Sequence, residues 1–127
     1  MKKRILAIDD NEDFLVTLKD LLEGSGYEVD ILPDPSKAEE RIELRKPDLM
    51  IIDVFMPKRS GFNIIEDFRD NGLYMDIPKI FLTCLDDDIE RMTAKACGVD
   101  CYITKPFQPE DLIEMVHRIL GNNPEKG

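Results

Sequence analysis

Five polar residues, in four separate parts of the sequence, stand at the ends of short apolar runs. They are Asp9, Asp10, Asp53, Thr83 and Lys105. Carboxylates that meet in one cleft repel one another, and a divalent cation with oxygen ligands relieves that repulsion. A carboxylate beside such a cation, an ammonium group and a hydroxyl can attack a phosphoryl group and hold its oxygens. These residue types therefore indicate phosphoryl chemistry at a Mg²⁺ site, provided that the fold brings them together.

The apolar runs before these residues are predicted to be strands of a parallel sheet. Leu49–Ile52 lies between Asp48 and Asp53, and four consecutive large apolar residues are typical of a strand buried on both faces. The other predicted strands are Arg4–Ile8, Tyr27–Leu32, Pro78–Thr83 and Asp100–Thr104. Ligands of open α/β sheets bind at the carboxyl ends of the strands. We therefore expect the five polar residues to meet at that edge, with Asp53 at the end of a central strand.

Five helices are predicted to alternate with the strands. The first opens at Asn11 and carries its apolar residues on one face, which is the pattern of a helix packed on a sheet. The others are predicted from Pro35 to about Arg45, after Ser60, from Asp86 to Gly98, and after Pro109. Right-handed crossovers place such helices on both faces of the sheet. The pattern thus predicts an α/β fold, a doubly wound parallel sheet.

Length and charge narrow the function classes. The 127 residues suffice for one domain, and the net charge of -10 argues against direct nucleic acid binding, because phosphate groups would be repelled. No apolar run is long enough to span a membrane, and Met1 to Ile5 lack the apolar region of a signal peptide. We therefore expect a cytoplasmic protein without membrane contact.

Three other features have ordinary structural explanations. Cys84, Cys97 and Cys101 are interpreted as small thiols of a reducing compartment, not as a metal site. The acidic run at residues 86–88 suits the start of a helix, where the macrodipole favours negative charge. His117 falls beside the apolar face of the last helix and is interpreted as a surface or boundary residue.

At this point the motifs resemble a known family, the receiver domain of two-component response regulators. The resemblance rests on Asp9-Asp10, on Asp53 followed by Met56-Pro57 and Gly61, on Thr83, and on Lys105-Pro106-Phe107, and it extends over essentially the whole chain. It implies a flavodoxin-like (βα)5 sandwich with the strand order 2-1-3-4-5. Residues 1–121 would form the receiver domain and residues 122–127 a flexible tail or the start of a linker.

The resemblance also implies a role for each matched residue. Asp53 would accept a phosphoryl group from a phosphohistidine of a sensor histidine kinase or a histidine phosphotransfer protein. Mg²⁺ would be bound directly by Asp10, Asp53 and the backbone carbonyl of Phe55, and by Asp9 through a water. Thr83 and Lys105 would each bind a phosphoryl oxygen. Tyr102 matches the switch aromatic that turns inward when Thr83 moves, which changes the face made by the fourth helix, fifth strand and fifth helix.

Two positions suggest how long the phosphorylated state lasts. Phe55 and Leu85 stand two residues after Asp53 and Thr83, where side chains in this family help or hinder the hydrolytic water. Both are apolar here. We therefore hypothesise slow self-dephosphorylation, because water finds no hydrogen-bond partner and no open approach. Cys84, where the family has a smaller residue, would narrow access to the phosphoryl site further.

Two alternatives belong to other function classes. A small aspartate-nucleophile phosphatase of the haloacid dehalogenase kind also uses Asp and Mg²⁺, but it needs an acid two residues after the nucleophile, where Phe55 stands. A pseudo-receiver would act only by protein contact, and its usual mark is the loss of an acid or of the lysine. All of these residues are present, so a phosphoacceptor is the favoured interpretation. The cognate kinase and the output cannot be read from the sequence.

Overall fold

The computed structural model of the chain describes residues 2–83, 99 and 101–121. Within these ranges, five strands alternate with helices. The strands are β1 (Arg4–Ile8), β2 (Glu28–Leu32), β3 (Leu49–Asp53), β4 (Lys79–Thr83) and β5 (Cys101–Thr104). The helices are α1 (Glu12–Glu23), a short 3-10 helix (Pro35–Lys37), α2 (Ala38–Leu44), α3 (Gly61–Asp70) and α4 (Pro109–Leu120). The predicted helix between Asp86 and Gly98 lies outside the described residues, so α4 is the fifth helix predicted from the sequence.

All the strand pairs are parallel, and the sheet order is β2-β1-β3-β4-β5. The predicted doubly wound, flavodoxin-like fold and its strand order are therefore confirmed. Ile8 is paired with Ile52, so the next residues of both strands, Asp9 and Asp53, lie side by side at the carboxyl edge. Thr83 is paired with Thr104, which brings Lys105 to the same edge from the other side of β3.

The core has two parts, one on each face of the sheet. Alternate residues of β3 contribute to each part, because successive side chains of a strand point to opposite faces. Met50 and Ile52 pack with α2 and α3, whereas Leu49 and Ile51 pack with α1 and α4. All five residues of β3 are buried. Asp53 is thus the last residue of a strand that is buried along its whole length. Packing on both faces of the sheet fixes its position.

The observed elements differ from the predicted ones in a few local respects. Asp34 accepts a hydrogen bond from the Ser36 backbone N–H, as a cap should, but the first turn that it caps is a 3-10 helix, and α2 begins only at Ala38. Gly26, with φ 100°, adopts the left-handed conformation after α1, whereas Gly24 remains right-handed. Lys79, the first residue of β4, is buried and donates hydrogen bonds to the carbonyls of Tyr74 and Ile77.

Among the described helices, none combines the length and the apolar character needed to cross a membrane.

Candidate functional site at the carboxyl edge of the sheet

Three carboxylates converge where β1 and β3 end. One oxygen from each of Asp9, Asp10 and Asp53 lies within 4.8 Å of the other two. Asp9 and Asp53 are buried, with exposed fractions of 2% and 8%, whereas Asp10 is exposed. Ionising neighbouring carboxylates that have little access to water costs free energy. The cluster therefore has both the ligand type and the excess negative charge that suit a hard divalent cation.

Asp9 is held on two sides. Its Oδ1 accepts a hydrogen bond from the backbone N–H of Asn11 at 2.9 Å, and its Oδ2 accepts one from Lys105 Nζ, also at 2.9 Å. Asn11 is also the N-cap of α1, where its side chain accepts a hydrogen bond from the Phe14 N–H. The turn that starts α1 thereby orients the buried carboxylate of Asp9.

Lys105 approaches the carboxylates from the end of β5. Its backbone N–H donates to the Thr83 carbonyl at 2.6 Å, which continues the β4–β5 pairing by one residue. Its Nζ lies 3.7 Å from Asp53 Oδ1 and 4.2 Å from the centroid of the Phe14 ring. The peptide bond between Lys105 and Pro106 is cis. The ammonium group is thus close to both buried carboxylates, and its shorter contact is with Asp9.

The environment of Asp53 raises the pKa of its carboxyl to about 6. Burial is the largest cause, followed by the negative charge of Asp9, and Asp10 adds a smaller effect in the same direction. Lys105 and a hydrogen bond from the backbone N–H of Phe55 act the other way. A cation among the three carboxylates would favour the ionised form of Asp53, which is the form that can act as a nucleophile.

Gly61, the first residue of α3, lies against the backbone at the end of β3. The Gly61 N–H donates to the Val54 carbonyl at 2.9 Å, which seats the start of α3 on the backbone next to the site. A Cβ at Gly61 would lie 2.8 Å from the Asp53 carbonyl oxygen and 3.1 Å from the Val54 Cα. Ser60 and Asn63 cap the helix reciprocally, each side chain accepting from the other's backbone N–H. This glycine therefore permits a close approach of two backbone segments, one of which carries Asp53.

The structure describes three of the remaining predicted residues, Thr83, Tyr102 and Phe55. Thr83 is fully buried at the end of β4, and Tyr102, in β5, is half-buried against the core that contains α2 and α3. The side chain of Phe55, two residues after Asp53 in the chain, is exposed. Leu85 and Cys84 lie outside the described residues. The structure thus clusters the carboxylates of Asp9, Asp10 and Asp53, with Lys105 in contact with Asp9 and Asp53. Thr83 is joined to this cluster through the backbone of Lys105.

Arg59, in the loop that follows Asp53, makes contacts that were not predicted from the sequence. It follows Pro57 in the loop after Asp53, and its guanidinium forms a bidentate pair with Glu39 at 2.7 Å, contacts Asp67 at 2.8 Å and donates to the Pro35 carbonyl at 3.1 Å. The paired guanidinium lowers the pKa of Glu39. No local pattern indicates this contact, because its partners belong to the 3-10 helix, α2 and α3. It ties the loop after Asp53 to the helices around it.

Comparisons with known proteins agree with this geometry. The sequence model of the response regulator receiver domain family matches residues 5–117. The alkaline phosphatase synthesis transcriptional regulatory protein PhoP of Bacillus subtilis is 36% identical over 120 residues, which cover 94% of this chain and 49% of that protein. The chain thus spans about half the length of the curated relatives that it matches.

Two solved structures are similar over nearly the whole fold. The chemotaxis protein CheY4 of Vibrio cholerae is 28% identical, with a TM-score of 0.86, and the match covers 94% of this chain and 99% of that one. A putative response regulator from Chloroflexus aurantiacus is 29% identical, with a TM-score of 0.87 and coverage of 96% and 100%.

Proposed function

The chain belongs to the response regulator receiver domain family, and we propose that Asp53 accepts a phosphoryl group from the phosphohistidine of a sensor histidine kinase or of a histidine phosphotransfer protein. The observation that carries this proposal is the convergence of two further carboxylates, Asp9 and Asp10, and the Lys105 ammonium group around Asp53. Such a site can position a phosphoryl donor and offset its charge, which is most of what phosphoryl transfer requires.

The residues present fit a Mg²⁺ ion. Carboxylates from Asp10 and Asp53, with the backbone carbonyl of Phe55, would hold it directly, and Asp9 would help through a water. All of these are hard oxygen donors, and the exposure of Asp10 leaves room for the waters that Mg²⁺ retains. When bound, the ion supplies positive charge that offsets both the carboxylates and the phosphoryl oxygens.

The chain's own groups then perform the transfer. An Asp53 carboxylate oxygen attacks phosphorus, a P–O bond forms, and the P–N bond to the histidine ring breaks with its electron pair returning to the ring nitrogen. The Lys105 ammonium, already 3.7 Å from Asp53, would bind one oxygen of the transferred group. The Thr83 hydroxyl would donate a hydrogen bond to another. Burial of Asp53 strengthens each of these charge-assisted contacts, since little water screens them.

Phosphorylation would then select between two arrangements of the domain. Movement of Thr83 toward the phosphoryl group would leave space into which Tyr102 turns, and the face formed by the predicted fourth helix, β5 and α4 would change. Tyr102 is half-buried in this structure and packs against the core that contains α2 and α3. The face that changes is where a downstream protein or domain would read the signal.

We propose that residues 1–121 form the receiver domain, within which the family model matches residues 5–117. Residues 122–127, predicted from the sequence to be a tail or the start of a linker, lie outside the described residues. The relatives that the chain matches are about twice its length. Direct nucleic acid binding by the receiver itself is disfavoured by its net charge of -10. A phosphatase of the haloacid dehalogenase kind is disfavoured because Phe55 offers no acidic group where that chemistry needs one.

The test is phosphorylation by acetyl phosphate in the presence of Mg²⁺, followed by intact-protein mass spectrometry. The wild type should gain one phosphoryl group, and Asp53→Asn should gain none. Asp20→Asn, the same change at an exposed position of α1, serves as the matched control and should be labelled like the wild type. Labelling of Asp53→Asn, or no labelling of the wild type, would contradict the proposal.

A further inference from the structure

Phe14 contacts the ammonium group of Lys105, although the sequence pattern predicts only that it belongs to the core-facing side of α1. Its half-buried ring lies in the first turn of the helix, and the centroid is 4.2 Å from Lys105 Nζ. An ammonium group within about 6 Å of a ring centroid is attracted by the negative face of the aromatic quadrupole. The contact is therefore a cation–π interaction and not only apolar packing.

The ammonium group of Lys105 has three attractive neighbours. Its Nζ lies 2.9 Å from Asp9 Oδ2, 3.7 Å from Asp53 Oδ1 and 4.2 Å from the centroid of the Phe14 ring. A lysine ammonium has three N–H donors and a flexible stem with four carbons. Three attractive neighbours restrict the positions that such a group can adopt.

The Phe14 ring is itself in contact with a second aromatic ring. The Phe107 ring packs edge-on against it, with centroids 6.3 Å apart and an interplanar angle of 84°. Phe107 follows Lys105 by two residues, so one loop supplies both the ammonium group and the support for the ring that it contacts. Both aromatic rings line a groove of about 510 Å³ that opens between α1 and this loop. Lys105 lines the same groove, so the ring and the lysine border it together.

We propose that Phe14 is a positioning residue that holds the Lys105 ammonium at the carboxylate edge before the phosphoryl group arrives. The inference rests on the proposed phosphoacceptor function. With the ring in place, Lys105 needs only a short movement from Asp9 toward the phosphoryl oxygen, and little of its rotamer freedom remains to be lost on transfer. Without the ring, the ammonium group samples positions in the groove as well.

The test compares Phe14→Leu with Phe14→Tyr, since leucine keeps an apolar side chain and tyrosine keeps the ring. Acetyl phosphate is the donor, because a small donor does not depend on contacts in the groove. With Mg²⁺ present, Phe14→Leu should be phosphorylated about 3- to 10-fold more slowly, whereas Phe14→Tyr should stay close to the wild type. In a Lys105→Met background, the change from Phe14 to Leu should have no further effect on the rate.

A spectroscopic readout is independent of phosphorylation. The ε-methylene protons of Lys105 should be shifted upfield by the ring current of Phe14 in the NMR spectrum of the wild type, and the shift should disappear in Phe14→Leu and persist in Phe14→Tyr. An unshifted Lys105 signal in the wild type would overturn the proposal even if Phe14→Leu failed to fold. An equal loss of rate in the wild-type and Lys105→Met backgrounds would also overturn it. Absence of wild-type phosphorylation would instead refute the proposed function, while the NMR contact would still be measurable.

Discussion

Gly61 and Asp53 are in backbone contact, so close that a Cβ at Gly61 would lie 2.8 Å from the Asp53 carbonyl oxygen. The start of α3 is thereby packed directly on the residue proposed to accept the phosphoryl group. The atoms that a new Cβ would meet include backbone atoms of Asp53 and Val54, which cannot rotate away as a flexible side chain could. The position of Asp53 therefore depends on a residue that has no side chain.

Replacing Gly61 with alanine should destabilise the protein and misplace the site. Overpacking of this kind costs about 1 to 3 kcal/mol, measured as the free energy of urea unfolding. Because the backbone of Asp53 must shift, the rate of phosphorylation by acetyl phosphate should fall as well. Gly24→Ala is the matched control, since Gly24 has ordinary helical φ and lies far along the chain from Asp53. If both variants behaved alike, the close approach at Gly61 would not be limiting.

The raised pKa of Asp53 predicts how stability depends on pH when divalent cations are chelated. Because this pKa is about 6 in the folded protein and near 3.8 ordinarily, the folded state holds the proton more tightly. The contribution of Asp53 to stability is therefore lost as the pH rises from about 4 to about 6. Asp53→Asn should remove this loss and be more stable above that range, by on the order of 1 to 3 kcal/mol.

The measurement is urea unfolding of both proteins in EDTA across that pH interval. Asp20→Asn should retain the wild-type pH dependence, because the residue is exposed on α1. A wild-type slope in Asp53→Asn would show that other groups account for the pH dependence.

Mg²⁺ should stabilise the folded protein through the three carboxylates. A ligand that binds only the folded state at about ten times its Kd adds about 1.4 kcal/mol to the unfolding free energy. Thermal unfolding in increasing Mg²⁺ measures this effect, which should be greatly reduced in Asp10→Asn and Asp53→Asn and unchanged in Asp20→Asn. Because protonation of Asp53 competes with the cation, the stabilisation should also weaken below about pH 6. An equal Mg²⁺ response in Asp10→Asn would place the cation elsewhere.

The exposed ring of Phe55 should slow the loss of the phosphoryl group. Its side chain stands two residues after Asp53 and gives a hydrolytic water no hydrogen-bond partner. After removal of the donor, phosphorylated wild type in Mg²⁺ should therefore decay more slowly than phosphorylated Phe55→Asn. Met75→Asn, which changes an exposed apolar residue outside the site, should decay like the wild type. Prompt decay of the wild type, or equal decay in Phe55→Asn, would refute slow self-dephosphorylation.

Loss of the Arg59 contacts should destabilise the loop after Asp53. Arg59 is only 14% exposed and makes paired, charge-assisted hydrogen bonds, so Arg59→Met should cost about 1 to 3 kcal/mol of unfolding free energy. Arg69→Met is the matched control, because Arg69 pairs with Asp70 on the surface and such pairs contribute about 1 kcal/mol or less. Equal effects of the two changes would mean that the Arg59 contacts add nothing beyond an ordinary surface ion pair.

The predicted strands were accurate because their signals are local. The run Leu49–Ile52 and the neighbouring apolar runs are short, bounded and rich in branched side chains, and each begins within a residue or two of the observed strand. Capping signals at Asn11 and Ser60 were equally local, and both residues cap the helices that were predicted. The 3-10 turn at Pro35 was not anticipated, since Asp-Pro caps either kind of helix.

Sequence patterns did not predict the contacts of some residues. Glu39 lies among charged residues of a kind that is typical of a solvated helix face, but it pairs with Arg59. His117 is half-buried, as expected of a boundary residue, but its Nδ1 is paired with the Tyr27 hydroxyl, which joins α4 to the segment before β2. Lys79 reads as a strand residue of no special kind, but its ammonium group is buried against backbone carbonyls. The partners of Glu39 and His117 are distant in sequence, and the contacts of Lys79 depend on the conformation of the preceding loop.

The sequence by itself determined the fold class and the residues of the carboxylate site, because parallel strands carry whatever follows them to one edge of the sheet. The tertiary structure decided which groups touch there. Lys105 lies closer to Asp9 than to Asp53, the Phe14 ring faces its ammonium group, and Gly61 packs on the backbone of Asp53. These contacts depend on distances of a few ångströms between segments far apart in the chain. Local periodicity contains no information about such distances, which are set only when helices and loops pack around the sheet.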